Sequence, residues 1–248
     1  MNLLLDIGNT HTHAGLARGK RITPHDIFPT GDWQSARAKK WLRHFIGKQT
    51  VSTATLCSVV PAATRAARKI LGELGIKQEV ITHRNCGLEV DYPNPASIGP
   101  DRLANARAGF EQFGAPVVIV DFGTAVTFDI VDAQGQYIGG IIAPGLSAMT
   151  DYLHEKTALL PRIKIRDPRT AIGKTTEQAM RIGAVHGYRG LISGLIDEVR
   201  RELAARKLPV VATGGGARLI ARQCPKITAV RPLLTLEGLR LASARGNC

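Results

Sequence analysis

A chain of 248 residues can bury one large or two ordinary cores, and 44% hydrophobic with 21% charged residues excludes extensive disorder. No apolar run approaches the roughly 20 residues that span a bilayer, and the N-terminus enters a strand pattern with no basic, apolar leader before it, so a cytoplasmic protein without a membrane partner is expected. The net charge of +13 is spread over helical stretches such as 37–43 and 65–69, and only 5% of residues are aromatic, which disfavours specific nucleic-acid binding and leaves attraction of small anions as its use.

The chain opens on Leu3-Leu4-Leu5, the pattern of a strand buried on both faces, and Asp6 falls where that strand ends. Gly8 then permits close approach of a ligand, while Asn9 and Thr10 offer short side chains and backbone N–H groups suited to phosphate oxygens. An alternating segment and the turn at Arg18-Gly19-Lys20 complete a hairpin. A helix is predicted from Gly31-Asp32 to about Ile46, a buried strand over Ala54–Val60, a helix from Pro61 to Leu71–Leu74, and a short strand from Lys77 to Thr82. Residues His83–Pro100 hold too many Gly, Pro and Asn residues for a helix and are too long for a simple connector, which points to a functional loop. The next helix runs through Leu103–Phe110, and Asp101 at its start is either a capping acid or a functional carboxylate.

Near mid-chain the opening pattern returns. Val117-Val118-Ile119-Val120 is a second doubly buried strand ending in Asp121-Phe122-Gly123-Thr124, and a turn at Asp132-Ala133-Gln134-Gly135 makes a second hairpin. One Asp-x-Gly at a strand end is an ordinary turn. Two copies with matching flanks predict an internal duplication, residues 1–115 and 116–248, with Asp6 and Asp121 on facing walls of one cleft. Gly139–Gly145 is a glycine-dense strand end, followed by a helix over Leu146–Leu153, a basic loop from about Ala158 to Lys174, and a long helix from Thr175-Thr176 to about Ala205. Gly183, Gly187, Gly190 and Gly194 weaken that helix, and the packing that offsets them is either another helix of the fold or a partner subunit. Strand Pro209–Thr213 leads into Gly214-Gly215-Gly216 and a helix near Arg218, a turn suited to nucleotide atoms. A last helix over Leu233–Ala244 is expected to pack back on the second half. Cys57, Cys86, Cys224 and Cys248 form no metal-ligand pattern and read as reduced thiols, with Cys57 a small buried residue.

These motifs, taken in order along nearly the whole chain, resemble the type III pantothenate kinases of the acetate and sugar kinase, heat-shock and actin superfamily. The resemblance implies an α/β fold of two ribonuclease-H-like (actin-like ATPase) domains, each a mixed sheet with flanking helices, around an ATP cleft. It implies transfer of the γ-phosphoryl group of ATP to pantothenate, the first step toward coenzyme A. By position, Asp6, Ile7, Gly8, Asn9, Thr10, His11, Thr12 and His13 would face the ATP phosphates and Asp6 would help hold Mg²⁺. Thr124, Gly214, Gly215 and Gly216 would contact the nucleotide, and Asp121 would bind a monovalent cation, K⁺ or NH₄⁺. Asp101 would be the general base, kept ionised by Arg102 beside it; Tyr92, Gly99, Pro100, Arg102 and Thr176 would hold pantothenate. The family implies a homodimer. His13 departs from the family's usual Lys or Arg, and a largely neutral imidazole holds a phosphate less well. The competing readings are a kinase or phosphohydrolase acting on another small molecule and a non-catalytic DNA-associated regulator.

Overall fold

The computed structural model describes residues 1–245. In chain order it has strands β1 (Asn2–Ile7), β2 (His11–Arg18) and β3 (Arg21–Pro29), helix α1 (Ala36–Ile46), β4 (Thr53–Ser58), α2 (Pro61–Glu73), β5 (Lys77–Val80), β6 (Glu89–Val90) and α3 (Pro100–Phe113). There follow β7 (Val117–Phe122), β8 (Ala125–Val131), β9 (Gln136–Pro144), α4 (Leu146–Lys156), α5 (Thr176–Glu202), β10 (Val210–Thr213), α6 (Ala217–Ala221), β11 (Ala229–Val230) and α7 (Leu234–Arg245). Among the described residues no helix is long and apolar enough to cross a membrane.

The first sheet has the order β3-β2-β1-β4-β5 and the second β11-β10-β7-β8-β9-β6. Read from β9, the second sheet repeats the first, with β9-β8-β7-β10-β11 matching β3-β2-β1-β4-β5. In both, the central strand pairs antiparallel with the strand after it and parallel with the one across a helical connection. The duplication predicted from the repeated Asp-x-Gly pattern and the mixed α/β architecture implied by the family resemblance are therefore present. Leu3, Leu4 and Leu5 are wholly buried, as are Val117 to Val120, because covered central strands have no solvent face.

Two compact units result. Among the described residues, one comprises 1–112, 135–138 and 233–245, the other 113–134 and 139–232. The core of the first is built from β1, β2 and β4 with Trp33, Ala38, Leu42, Ala67 and Leu71. Val118, Val120 and Phe128 pack with Tyr188, Ile192 and Ile196 of α5 in the second. The expectation that the last helix closes the second half is corrected, because α7 packs within the first unit. Its Thr235 hydroxyl donates to Asn105 Oδ1 of α3 at 2.8 Å, Leu236 and Leu239 are buried, and a methyl group at Gly238 would collide with the Ala104 carbonyl. Local pattern identified the helix; its docking depends on these distant partners.

Cys57, Cys86 and Cys224 are buried and in no disulfide, while Cys248 lies outside the described residues.

Candidate active site

Both Asp-x-Gly motifs stand at the C-terminal ends of their central strands. In the first unit, the turn after β1 is closed by the Gly8 N–H, which donates to the His11 carbonyl at 3.1 Å. It is braced from behind: the Thr30 hydroxyl donates to the Gly8 carbonyl at 2.8 Å, Thr12 and Thr30 hydroxyls share a 3.1 Å bond, and Trp33 Nε1 donates to Thr12 Oγ1 at 2.8 Å. Thr12 and Ile7 are fully buried, so their side chains do not present themselves to a phosphate as the sequence led us to expect. Their contribution is rigidity, and in Ile7 a core contact. Asn9, Thr10, His11 and His13 are the exposed members of the segment.

His13 lies in register with Asp6 across the hairpin. Loss of hydration, followed by the charges of His11 and His25, lowers its pKa below the ordinary imidazole value. The ring is therefore neutral at neutral pH, as its departure from Lys or Arg implied. His13→Lys is expected to lower the KM for ATP roughly threefold to tenfold, about 0.7–1.4 kcal/mol of added phosphate contact. An unchanged KM in steady-state assays would show that this side chain does not reach the donor.

Asp6 has a neighbour the sequence did not assign to it. In the parallel pairing of β1 with β4, Asp6 and Cys57 are register partners, and the Cys57 thiol donates to Asp6 Oδ1 at 3.3 Å. Burial first, then the charges of Asp6 and Asp101, push the Cys57 thiol well above its usual pKa, which keeps its proton in place as a donor. Both carboxylates therefore act on one buried sulfur. The pairing of the strands on either side of the first helical connection was the signal that could have found it.

Asp101 occupies the first turn of α3 and is half-buried. Its Oδ1 accepts the Arg102 N–H at 2.9 Å, and the Gly99 carbonyl accepts from the Arg102 and Leu103 N–H groups. A Cβ at position 99 would lie 2.5 Å from Asp101 Oδ1, so glycine there leaves room for the carboxylate. Burial pushes the pKa of Asp101 above the usual aspartate value despite the opposing N–H bond and charge of Arg102. That corrects the expectation that Arg102 decides the matter and keeps the ionised form favoured. The carboxylate is a stronger base than an ordinary aspartate.

The loop before α3 is tied to its surroundings by Tyr137, a residue no motif had singled out. Glu89 and Val90 pair with Gln136 and Tyr137, and the Asp91 N–H donates to the Tyr137 carbonyl at 3.0 Å, immediately before Tyr92. The Arg102 guanidinium lies over the Tyr137 ring, 6.0 Å from its centroid. One aromatic residue thus holds the Tyr92 backbone segment and Arg102 about itself. Tyr92 is itself part-exposed.

In the second unit, Asp121 ends β7 in register with Thr213 of β10. Gly214 has φ of 84°, and a Cβ there would stand 2.5 Å from Asp121 Oδ1 and 2.8 Å from the Phe122 backbone. The glycine is required by conformation and by space. The Gly216 N–H then donates to the Phe122 carbonyl at 3.2 Å, which joins the two turns. Beside them is a cavity of about 280 Å³ lined by Phe122, Gly123, Leu146, Ser147, Ile165, Gly215, Gly216 and Leu219. Its size is near the lower end of the roughly 300–1,000 Å³ of small-molecule sites, and its mixture of apolar side chains and bare glycine backbone suits a planar base. Thr124 is exposed beside this turn, and Thr176 is exposed at the start of α5, after the N-cap Thr175.

The donor sets at Asp6 and Asp121 are carboxylates at strand ends, with hard oxygen chemistry. Among the described residues no group of three or more His, Cys, Asp and Glu side chains could hold a metal ion. Single carboxylates of this kind fit a Mg²⁺ that shares its coordination with nucleotide phosphates, and the carboxylate cradled by Gly214 fits a monovalent cation.

Comparison with known proteins shows the family and the fold. The family model described as type III pantothenate kinase matches residues 2–198. A type III pantothenate kinase of Methylacidiphilum infernorum is 43% identical over 96% of this chain and 86% of its own length, and one of Akkermansia muciniphila is 42% identical over 97% of both. Among solved structures, a putative Baf family transcriptional activator from Campylobacter jejuni superposes with a TM-score of 0.64 over 98% of both chains at 17% identity. A putative N-acetylglucosamine kinase from Porphyromonas gingivalis has a TM-score of 0.53 over the full length of both at 12% identity, so both likenesses speak for the fold alone. With the duplicated sheet, the two Asp-x-Gly turns, a family model over residues 2–198 and relatives matched over nearly the whole of this chain, the chain belongs to the type III pantothenate kinase family.

Proposed function

We propose that this protein phosphorylates pantothenate with ATP to give 4′-phosphopantothenate and ADP, the first step of coenzyme A synthesis. The observation that carries the reading is Asp101, a carboxylate whose basicity is raised by burial, sharing the neighbourhood of Cys57 with Asp6 in a chain of this family.

In this reading Asp101 accepts the proton of the primary hydroxyl as its oxygen bonds to the γ-phosphorus, and the bond to the ADP oxygen breaks. Arg102 and Tyr92, with the backbone at Gly99 and Pro100, hold pantothenate so that its hydroxyl meets Asp101; Thr176 contributes from the start of α5. The turn from Asp6 to His13 positions the phosphates with its backbone and its exposed side chains. Thr124 and the backbone of Gly214, Gly215 and Gly216 hold the nucleotide. Asp6 takes part in holding Mg²⁺ and Asp121 a K⁺ or NH₄⁺ ion. When bound, these cations neutralise charge on the transferring group.

The stripe Gly183, Gly187, Gly190 and Gly194 supports a homodimer. These four glycines lie on the exposed side of α5, with open space where each Cβ would be. Each costs on the order of 1 kcal/mol relative to alanine, and no packing within the described chain offsets it. Gly187→Leu is therefore expected to shift a dimer to monomer in sedimentation velocity. A dimer of undiminished strength would place the interface elsewhere.

The test of the reaction is transfer of labelled γ-phosphate from ATP to pantothenate by the purified protein with Mg²⁺, in K⁺ and in Na⁺ buffer. Phosphopantothenate formed preferentially in K⁺ is the expected result. No product in either salt would overturn the assignment of substrate.

A further inference from the structure

The cavity beside the glycine turn has a wall that no recognised motif supplies. Ile165 belongs to residues 157–175, which form neither helix nor strand, yet it lines the cavity and is half-buried. Two arginines of α5 hold the chain on either side of it. Arg181 Nε donates to the Lys164 carbonyl at 3.2 Å. Eight residues on, Arg189 donates to Asp167 Oδ1 at 2.9 Å, to the Leu219 carbonyl at 2.7 Å and to Gln223 Oε1 at 2.8 Å.

Leu219 is itself a lining residue. Arg189 thus reaches two walls of one cavity from behind: the α6 wall through the Leu219 carbonyl, and the Ile165 wall through Asp167 two residues along. The guanidinium side chain is 6% exposed, and a charge so buried is tolerated only while its acceptors stay in place. Arg222 Nη1, 3.6 Å from Asp167 Oδ2, adds a weaker contact from outside.

We propose that the Arg189–Asp167 pair is a positioning device for the nucleoside end of the phosphate donor, setting the distance between the Ile165 and Leu219 walls that enclose the base. The inference rests on reading the cavity as the nucleoside site of the kinase. Neither residue lines the cavity, and neither acts on the transferring phosphoryl group or the acceptor alcohol. Loosening the pair therefore weakens donor binding without slowing the chemical step.

Asp167→Asn keeps the side-chain shape and an acceptor oxygen but removes the charge. The expected result is a dissociation constant for ADP, measured by calorimetry without pantothenate, that rises roughly fivefold to tenfold. The KM for ATP rises by the same factor, while kcat and the KM for pantothenate stay unchanged. Arg189→Lys loses the fork that reaches three acceptors and is expected to act in the same direction more strongly. If that variant does not fold by circular dichroism, Asp167→Asn and Arg181→Ala, the second anchor, carry the test. A lowered Tm with unchanged ADP binding would reduce the pair to a structural role and overturn the proposal, as would a fall in kcat at unchanged ADP binding. Wild-type protein that binds ADP but does not phosphorylate pantothenate would sink the assigned reaction and leave this test standing. Wild-type protein that binds no ADP would overturn the nucleoside cavity and the positioning role together.

Discussion

Replacing Asp101 by asparagine is expected to lower kcat by roughly 10²–10⁴-fold, the range contributed by a positioned general base. Asparagine keeps the shape and can still accept the Arg102 N–H, so the α3 terminus survives and the loss is chemical. The sign of the stability change separates this from a capping role. Burial raises the pKa of Asp101 in the folded protein, so the folded state binds the proton more tightly than the unfolded chain does. Its ionised form therefore costs stability above the folded pKa, and that cost disappears as pH falls through it. Asp101→Asn should accordingly raise Tm at neutral pH while abolishing most turnover, and the gain should shrink toward acidic pH. A carboxylate acting chiefly as a cap would give the reverse, a lower Tm with activity nearly intact. In the wild type, kcat/KM should fall on its acidic side at a pH above that of an ordinary aspartate. Calorimetric melts and rate profiles across pH check both statements.

What was legible in the sequence is what local pattern dictates. The apolar runs at Leu3–Leu5 and Val117–Val120 could only be covered strands, and the aspartate and glycine after each marked two equivalent turns. Asp101 was legible as an acid at a helix start, whereas its grouping with Gly99 and Arg102 came from the family resemblance and not from local pattern. The features that escaped are joined through space. Cys57 meets Asp6 because β4 pairs with β1, Tyr137 gathers the Asp91 backbone and Arg102, and Arg189 reaches Asp167 and Leu219 from the middle of a long helix. Nothing in the spacing of those residues announces the contacts. The direction of the Asp101 shift was misread for a related reason: the charge of Arg102 is visible in the chain, whereas desolvation depends on what the fold brings around the carboxylate. Thr12 makes the same point, since its hydroxyl faces Thr30 and Trp33 rather than solvent.

The second large effect is expected at Asp6. Its carboxylate ends a strand with no exposed residue, and Cys57 donates to one of its oxygens, so its position is fixed before any ligand arrives. Asp6→Asn preserves volume and can still accept from the thiol, but removes the negative charge that a Mg²⁺ shared with the nucleotide would require. Loss of one preorganised electrostatic partner of the transferring group costs roughly 10²–10³ in rate. The expected result is a fall of that size in kcat/KM for ATP, partly recovered at high Mg²⁺, with KM for pantothenate little changed. A readout independent of turnover is available. Wild-type protein should bind ADP more tightly with Mg²⁺ than without it, and in Asp6→Asn that difference should collapse in calorimetric titrations. Because Asp6 also raises the pKa of Cys57, the variant should lower the thiol pKa as well, seen in the pH dependence of thiolate absorbance. A variant that lost activity while keeping the full Mg²⁺ effect on ADP binding would show that Asp6 serves the reaction by positioning the turn instead of the cation. The Asp6-to-His13 segment would then owe its role to the backbone braced by Thr12, Thr30 and Trp33.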